Sequence, residues 1–188
     1  MIRRLKDLWR GQPDAHDARA QVLPGCRVLM VCMGNICRSP TAEGVLRAKL
    51  ERAGLQGRVA VDSAGTHGYH TGEAPDPRAI HHAALRGYDI APLRARPVQA
   101  GDFGRFDRIL AMDADNLEWL LRRAPQGLEG RVGLLMSHAR RHAAVRHVPD
   151  PYYGAPAGFE HVLDLVEDAC DGLLERLNSD LEKTSKPE

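Results

Sequence analysis

No stretch of this 188-residue chain approaches the roughly 20 consecutive apolar residues that a membrane-spanning helix requires, and no apolar centre near the start marks a secretory leader. A membrane-spanning helix is excluded on that ground, stable membrane insertion is not expected, and a cytoplasmic location follows as the default. Charge of one sign is missing too, with 26 Lys and Arg against 25 Asp and Glu and a net charge of +1. Of the basic residues 22 are Arg, spread along the chain rather than gathered, so no nucleic-acid partner is expected. Cysteine is scarce. Cys26, Cys32, Cys37 and Cys170 would suffice in number for two disulfides, but a chain of this size needs no such staples, and reactive or buried thiols are the better reading. The length suits one domain with a proper core and is short for two.

What is present centres on Val28 to Thr41, V-L-M-V-C-M-G-N-I-C-R-S-P-T. Val28 to Val31 run apolar without alternation, which suits a parallel strand buried on both faces, and Pro40 suits the first turn of a helix. A loop between strand and helix start turns backbone N–H groups inward, and the helix dipole adds positive charge at the same spot, so the loop points at an anion such as phosphate. Gly34 and Asn35 are residue types that tolerate a left-handed backbone. Arg38 can grip two oxygens of a tetrahedral oxyanion through its planar fork. A free thiol titrates near ~8.5 and falls to roughly 3.5–7.5 at a helix N-terminus beside Arg, which makes Cys32 the expected nucleophile. Ser39 is placed to donate to its sulfur.

The rest of the chain alternates. A helix is predicted from Pro40 to Ala53, a strand from Arg58 to Asp62, a loop over 63–75, and a helix opened by Asp76-Pro77 and ended by Gly87. A third strand is predicted from Arg108 to Met112, a helix from Asp115 to Ala124 and a fourth strand from Arg131 to Met136. From Phe159 the apolar positions 162, 163, 166, 169, 170, 173, 174 and 177 define one long amphipathic helix, with Cys170 on its buried stripe and a frayed polar tail over 179–188. The expected fold is α/β, a single domain with a four-stranded parallel sheet, helices on both faces and the phosphate-binding loop after the first strand. In such sheets ligands sit at the carboxyl ends of the strands, where Cys32 falls. Residues 1–25 stand apart as a flexible or self-docked leader whose Ile2, Leu5, Leu8 and Trp9 share one helical face, a pattern that would also suit a membrane surface or a partner.

The run C-M-G-N-I-C-R-S-P-T-A-E resembles the phosphate loop of the low-molecular-weight protein tyrosine phosphatases, and Asp150-Pro151-Tyr152-Tyr153-Gly154 resembles that family's acid loop. Asp62-Ser63-Ala64-Gly65-Thr66 and Phe106 to Asp113 match in order, so the resemblance spans about residues 26–178. It implies hydrolysis of phosphotyrosine through a cysteinyl-phosphate, with Cys32 as nucleophile, Arg38 holding phosphate, and Asp150 as the acid that later deprotonates water. The phosphate would be cradled by Met33, Gly34, Asn35, Ile36, Cys37 and Ser39, and the ring walled by Tyr69, Tyr152 and Tyr153. The alternative for Tyr69 is an ordinary surface position. No cofactor or metal is implied: His67 and His70 suggest a metal pair, but no third ligand with suitable spacing accompanies them. The implied partner is a phosphotyrosine protein, with a bacterial tyrosine kinase of polysaccharide export as the leading candidate. Cys37 is placed to capture an oxidised Cys32, or simply packs beneath the loop.

One departure stands out. The family usually carries a His that supports the loop Asn, and this chain has Leu93 there, so either another group holds Asn35 or the loop is less rigid. Two rival readings fit the residues less well. An arsenate reductase of the same fold would need further cysteines beyond the third strand, and residues 98–169 contain none. A silent phosphopeptide-binding module would be expected to lack Cys32 or Asp150, and both are present.

Overall fold

The computed structural model describes residues 25–184. The leader reading of residues 1–24 lies outside the described residues. Four strands form one parallel sheet: β1 (Cys26–Cys32), β2 (Val59–Gly65), β3 (Arg108–Ala111) and β4 (Val132–Leu134), in spatial order β2-β1-β3-β4. The central strand β1 pairs Cys32 with Gly65 on one side and Val31 with Ala111 on the other. Central placement explains its unbroken apolar run. Val28 and Met30 enter one core, with Val45 and Leu46 of α1 (Arg38–Arg52) and Val166, Cys170 and Leu173 of α5 (Ala157–Thr184). Leu29 and Val31 enter the other, beneath Phe103 of the short α3 (Asp102–Arg105) and Leu120 of α4 (Ala114–Leu121). The helix α2 (Pro77–Leu85) is capped by Asp76, whose side chain accepts from the Arg78 N–H at 2.8 Å.

Several boundaries differ from the sequence reading. β2 runs three residues past Asp62, because Gly65 is gripped on both sides by backbone: its N–H donates to the Arg96 carbonyl at 2.8 Å and its carbonyl accepts from Val98. β4 keeps only three residues, since Leu135–His138 tighten into a 3-10 turn. The described part of the polar tail expected over 179–188 is helical. α5 continues to Thr184, and this final stretch is held by buried Leu181 and by an ion pair between Arg108 and Asp180 at 2.6 Å. Periodicity understated the helix there because buried Leu181, the Arg108–Asp180 pair and the Arg58 guanidinium on the Leu181 carbonyl at 3.2 Å hold an otherwise polar turn.

Asp168 of α5 pins the segment that leads to the acid loop. Its carboxylate accepts from the N–H groups of Arg140, Arg141 and His142 at 3.3, 3.2 and 2.7 Å. Burial would push the carboxyl up, but these donors outweigh it and hold the group well below its ordinary range. Cys170 behaves as the apolar core residue the pattern indicated, and burial pushes its thiol up to about 12. Among the described residues, no helix is long and apolar enough to cross a membrane.

Candidate active site

The loop from Cys32 to Cys37 joins the carboxyl end of β1 to α1, which begins at Arg38 with no side-chain cap. The first-turn N–H groups are therefore not taken up by a capping side chain, and the N–H groups of Gly34, Ile36 and Cys37 have no acceptor among the described residues. That is the donor set an oxyanion requires. The loop is stapled to the end of β2 by Thr66 N–H to the Cys32 carbonyl at 2.9 Å and His67 N–H to the Met33 carbonyl at 3.0 Å. Gly65 permits this approach, since a Cβ there would lie 2.7 Å from the Met33 carbonyl oxygen.

Cys32 is almost fully buried. Its Sγ accepts from the Asn35 N–H at 3.3 Å and lies 3.1 Å from Ser39 Oγ. Asn35 adopts the left-handed conformation at φ 56°, as its residue type allows, and is tied at every polar atom of its side chain. Nδ2 donates to Ser39 Oγ and to Ser63 Oγ, both at 2.9 Å, while Oδ1 accepts from the Arg96 N–H at 2.9 Å. The Ser63 hydroxyl donates to Glu43 Oε2 at 2.6 Å, and the other oxygen of that buried carboxylate pairs with Arg47 at 2.6 Å. The missing family His is thus answered. Ser63, Glu43 and the backbone of Arg96 hold Asn35, while Leu93 is buried in the apolar core. Sequence reasoning missed Ser63 and Glu43 as supports, although both lie within stretches that carry the resemblance.

Arg38 is 3% exposed and fully engaged. One Nη reaches Asp113 and the Val148 carbonyl at 3.3 Å, and the other reaches Asp150 at 2.7 Å. Burial works against the guanidinium charge, but the Cys32 sulfur, Asp150 and Asp113 outweigh it and hold its pKa above the ordinary value. Asp113 was not among the expected site residues. Its second oxygen caps α4 by accepting from the Asn116 N–H at 2.8 Å, so one side chain both starts a helix and aims Arg38. An acid at the carboxyl end of a strand, two residues past β3, was the available signal.

Asp150 approaches from the opposite side on a loop fixed by Val148 N–H to the Met112 carbonyl at 2.8 Å. Its Oδ1 accepts from the Tyr152 N–H at 3.1 Å, and its side chain is 45% exposed, open to a substrate. Cys37 is buried beneath the loop; burial first, then Asp76 and Cys32, pushes its thiol far up. Met33 is exposed at the rim and Ile36 is turned inward. A Cβ on Gly34 would meet the His70 ring at 3.1 Å, and His70 is oriented by Glu73 at 2.7 Å. Of the three expected ring walls, Tyr152 is the most enclosed, with the Arg78 guanidinium 5.6 Å from its ring and Tyr153 edge-on at 4.9 Å. Tyr69 stacks on His67 at 5.2 Å and is 74% exposed, and Tyr153 is 96% exposed. Among the described residues no group of three His, Cys, Asp or Glu is placed to hold a metal ion.

The family model described as low molecular weight phosphotyrosine protein phosphatase matches residues 27–183. A low molecular weight protein-tyrosine-phosphatase of Streptomyces coelicolor is 46% identical over 158 residues, which cover 83% of this chain and 96% of the relative. The crystal structure of a protein tyrosine phosphatase from Entamoeba histolytica with Hepes in the active site superposes with a TM-score of 0.80 at 39% identity, covering 83% of this chain and 99% of that one. YfkJ from Bacillus subtilis superposes with a TM-score of 0.77 at 34% identity, covering 87% and 99%.

Proposed function

Because the chain belongs to the low molecular weight phosphotyrosine protein phosphatase family, we propose that it transfers the phosphoryl group of phosphotyrosine to Cys32 and then to water. The observation that carries this reading is the convergence of Cys32, Arg38 and Asp150 on one loop, with Asn35 and Ser39 aimed at the sulfur.

In the first step Cys32 Sγ attacks phosphorus, a P–S bond forms and the P–O bond to tyrosine breaks. The loop N–H groups and Arg38 hold the equatorial oxygens. In the free protein Asp150 is the counter-ion of Arg38; an arriving phosphate dianion takes over the guanidinium, and the released Asp150 takes up a proton from solvent and gives it to the phenolic oxygen. In the second step Asp150 takes a proton from water as its oxygen attacks phosphorus, the P–S bond breaks, and inorganic phosphate leaves. Ser39 accepts a hydrogen bond from Asn35, and its hydroxyl, 3.4 Å from the Ala64 carbonyl and 3.1 Å from Cys32 Sγ, turns its proton to the departing thiolate. The roles of Tyr152 and, at the mouth, of Tyr69 and Tyr153 are to flank the ring. No metal step enters this scheme, because the loop donors and Arg38 carry the charge stabilisation.

Steady-state assay of the purified protein on phosphotyrosine and phosphoserine peptides tests the proposal. A phosphotyrosine preference is expected, since Tyr152, Tyr69 and Tyr153 offer ring faces that a phosphoserine side chain has no aromatic ring to meet. Equal turnover of both would overturn the specificity. We extend the proposal to a bacterial tyrosine kinase of polysaccharide export as the protein substrate, a reading that rests on the loop's resemblance to bacterial relatives. Failure to dephosphorylate such a kinase while small aryl phosphates are hydrolysed would remove that extension alone.

A further inference from the structure

Away from the phosphate loop, a cavity of about 660 Å³ opens between α1, the edge strand β2 and the turn before β3, within the range of roughly 300–1,000 Å³ that small-molecule sites occupy. It sits toward the amino ends of the strands. Arg27 lines it and precedes Cys32 by five residues along β1, a separation of roughly 16 Å at ~3.3 Å per residue. A small ligand held against Arg27 does not touch a phosphate on Cys32.

The chemistry of the wall selects a ligand class. Leu50, Val59 and Phe106 supply apolar surface, and the Arg105 guanidinium lies 5.6 Å from the Phe106 ring. Four arginines line the cavity against three acids, and two of those acids, Asp62 and Asp102, are already occupied by Arg96 at 2.9 Å each. Arg27 and Arg105 take part in no ion pair among the described residues, with Glu51 as the remaining acid of the wall. A flat apolar body carrying one anionic group satisfies both parts of this surface.

Two lining residues also end on the catalytic loop. Arg47 pairs with Glu43, Glu43 accepts from Ser63, and Ser63 accepts from Asn35. Arg96 gives its own N–H to Asn35 while its guanidinium faces the cavity through Asp62 and Asp102. We propose that this cavity is a regulatory site for a planar aromatic carboxylate, and that Asn35 senses its occupancy through Arg47 and Arg96. The carboxylate draws Arg47 toward the cavity, the Glu43 carboxylate turns with it, and the Ser63 bond that supports the left-handed Asn35 lengthens. Asn35 N–H in turn slips from Cys32 Sγ, and turnover falls while phosphate binding by Arg38 persists. The coupling runs through contiguous hydrogen bonds.

The probe is 2-naphthoate with the full chain and para-nitrophenyl phosphate as substrate. Saturating naphthoate is expected to lower kcat about fivefold with KM unchanged, and titration calorimetry should show one site. Calorimetry needs no turnover, so a failure of the proposed hydrolysis and a failure of the cavity are read separately. Arg27→Ala with Arg105→Ala should keep basal kcat and lose both naphthoate binding and inhibition. If that pair of changes prevents folding, Arg105→Ala alone, at an exposed position, should weaken binding at least fivefold. The proposal is overturned by absence of binding at millimolar naphthoate, by binding without effect on kcat, by inhibition that raises KM alone, or by inhibition that survives in the arginine variants.

Discussion

The backbone N–H of Arg96 donates to Oδ1 of Asn35 at 2.9 Å, across 61 residues of chain. Backbone support of this kind does not depend on the side chain at position 93, which is why Leu can stand there without freeing the loop. The turn carrying Arg96 is itself fixed to the end of β2 by the Gly65 N–H at 2.8 Å, so the sheet, rather than a histidine, sets the position of Asn35.

Cys32→Ser should lower kcat by roughly 10³-fold or more while vanadate still binds, because the hydroxyl keeps the shape of the site but is not ionised at neutral pH. Turnover by the purified variant and vanadate titration check this together. Substantial remaining activity would remove Cys32 from the role of nucleophile.

Asp150→Ala should lower kcat on phosphotyrosine by about 10²-fold or more, and far less on an aryl phosphate whose phenol is already acidic, since proton donation matters most where the leaving group is most basic. Equal losses on both substrates would make Asp150 a tether of Arg38 through their 2.7 Å pair and nothing more.

Ser63→Ala removes the hydroxyl that links Asn35 to Glu43 and leaves two buried groups short of a partner, at a cost of about 1–3 kcal/mol. Thermal unfolding should fall by roughly 2–10 °C for a domain of this size. Loss of loop support should lower kcat roughly tenfold with little change in KM, and Ser63→Thr should restore most of both. A variant with normal kcat would show that Arg96 and Ser39 suffice to hold Asn35.

Asp168→Ala leaves the N–H groups of Arg140, Arg141 and His142 without their acceptor and should cost about 3 kcal/mol at pH 7. The folded carboxyl lies below its unfolded value near ~3.9, so its contribution is present above that pH and is lost as pH falls toward the folded value. Denaturant midpoints of wild type and variant should therefore converge below about pH 4. A gap that stays constant down to pH 2.5 would assign the effect to packing.

Peroxide should inactivate the wild type reversibly, with mass spectrometry locating a Cys32–Cys37 bond that dithiothreitol reduces, whereas Cys37→Ser should be lost irreversibly. Burial holds the Cys37 thiol protonated at neutral pH, so capture should speed about tenfold per pH unit from pH 6 to 8 as its thiolate fraction grows. Full recovery of the Cys37→Ser variant would leave Cys37 to packing alone.

The basic run Arg140, Arg141 and Arg146 precedes the acid loop, yet the structure spends two of its charges internally. Arg140 pairs with Glu175, and Arg141 reaches Asp168 and Asp171. A row of cations in sequence is a free positive face only where the fold brings no acids against it.

The sequence by itself determined what rests on near neighbours: the doubly buried run Val28–Val31, the Asp76 cap, the period of α5, and a loop that places Cys32 and Arg38 within one turn of chain around a helix start. Those features arise from backbone geometry and side-chain period, which a local reading captures. Tertiary structure alone decided that Asp113 aims Arg38 from 75 residues away, that Ser63 and Glu43 hold Asn35, and that the last turn of α5 survives through Arg108 and Asp180. Each joins side chains from separate elements, and such partners are chosen by how the helices pack on the sheet, which residue spacing does not encode.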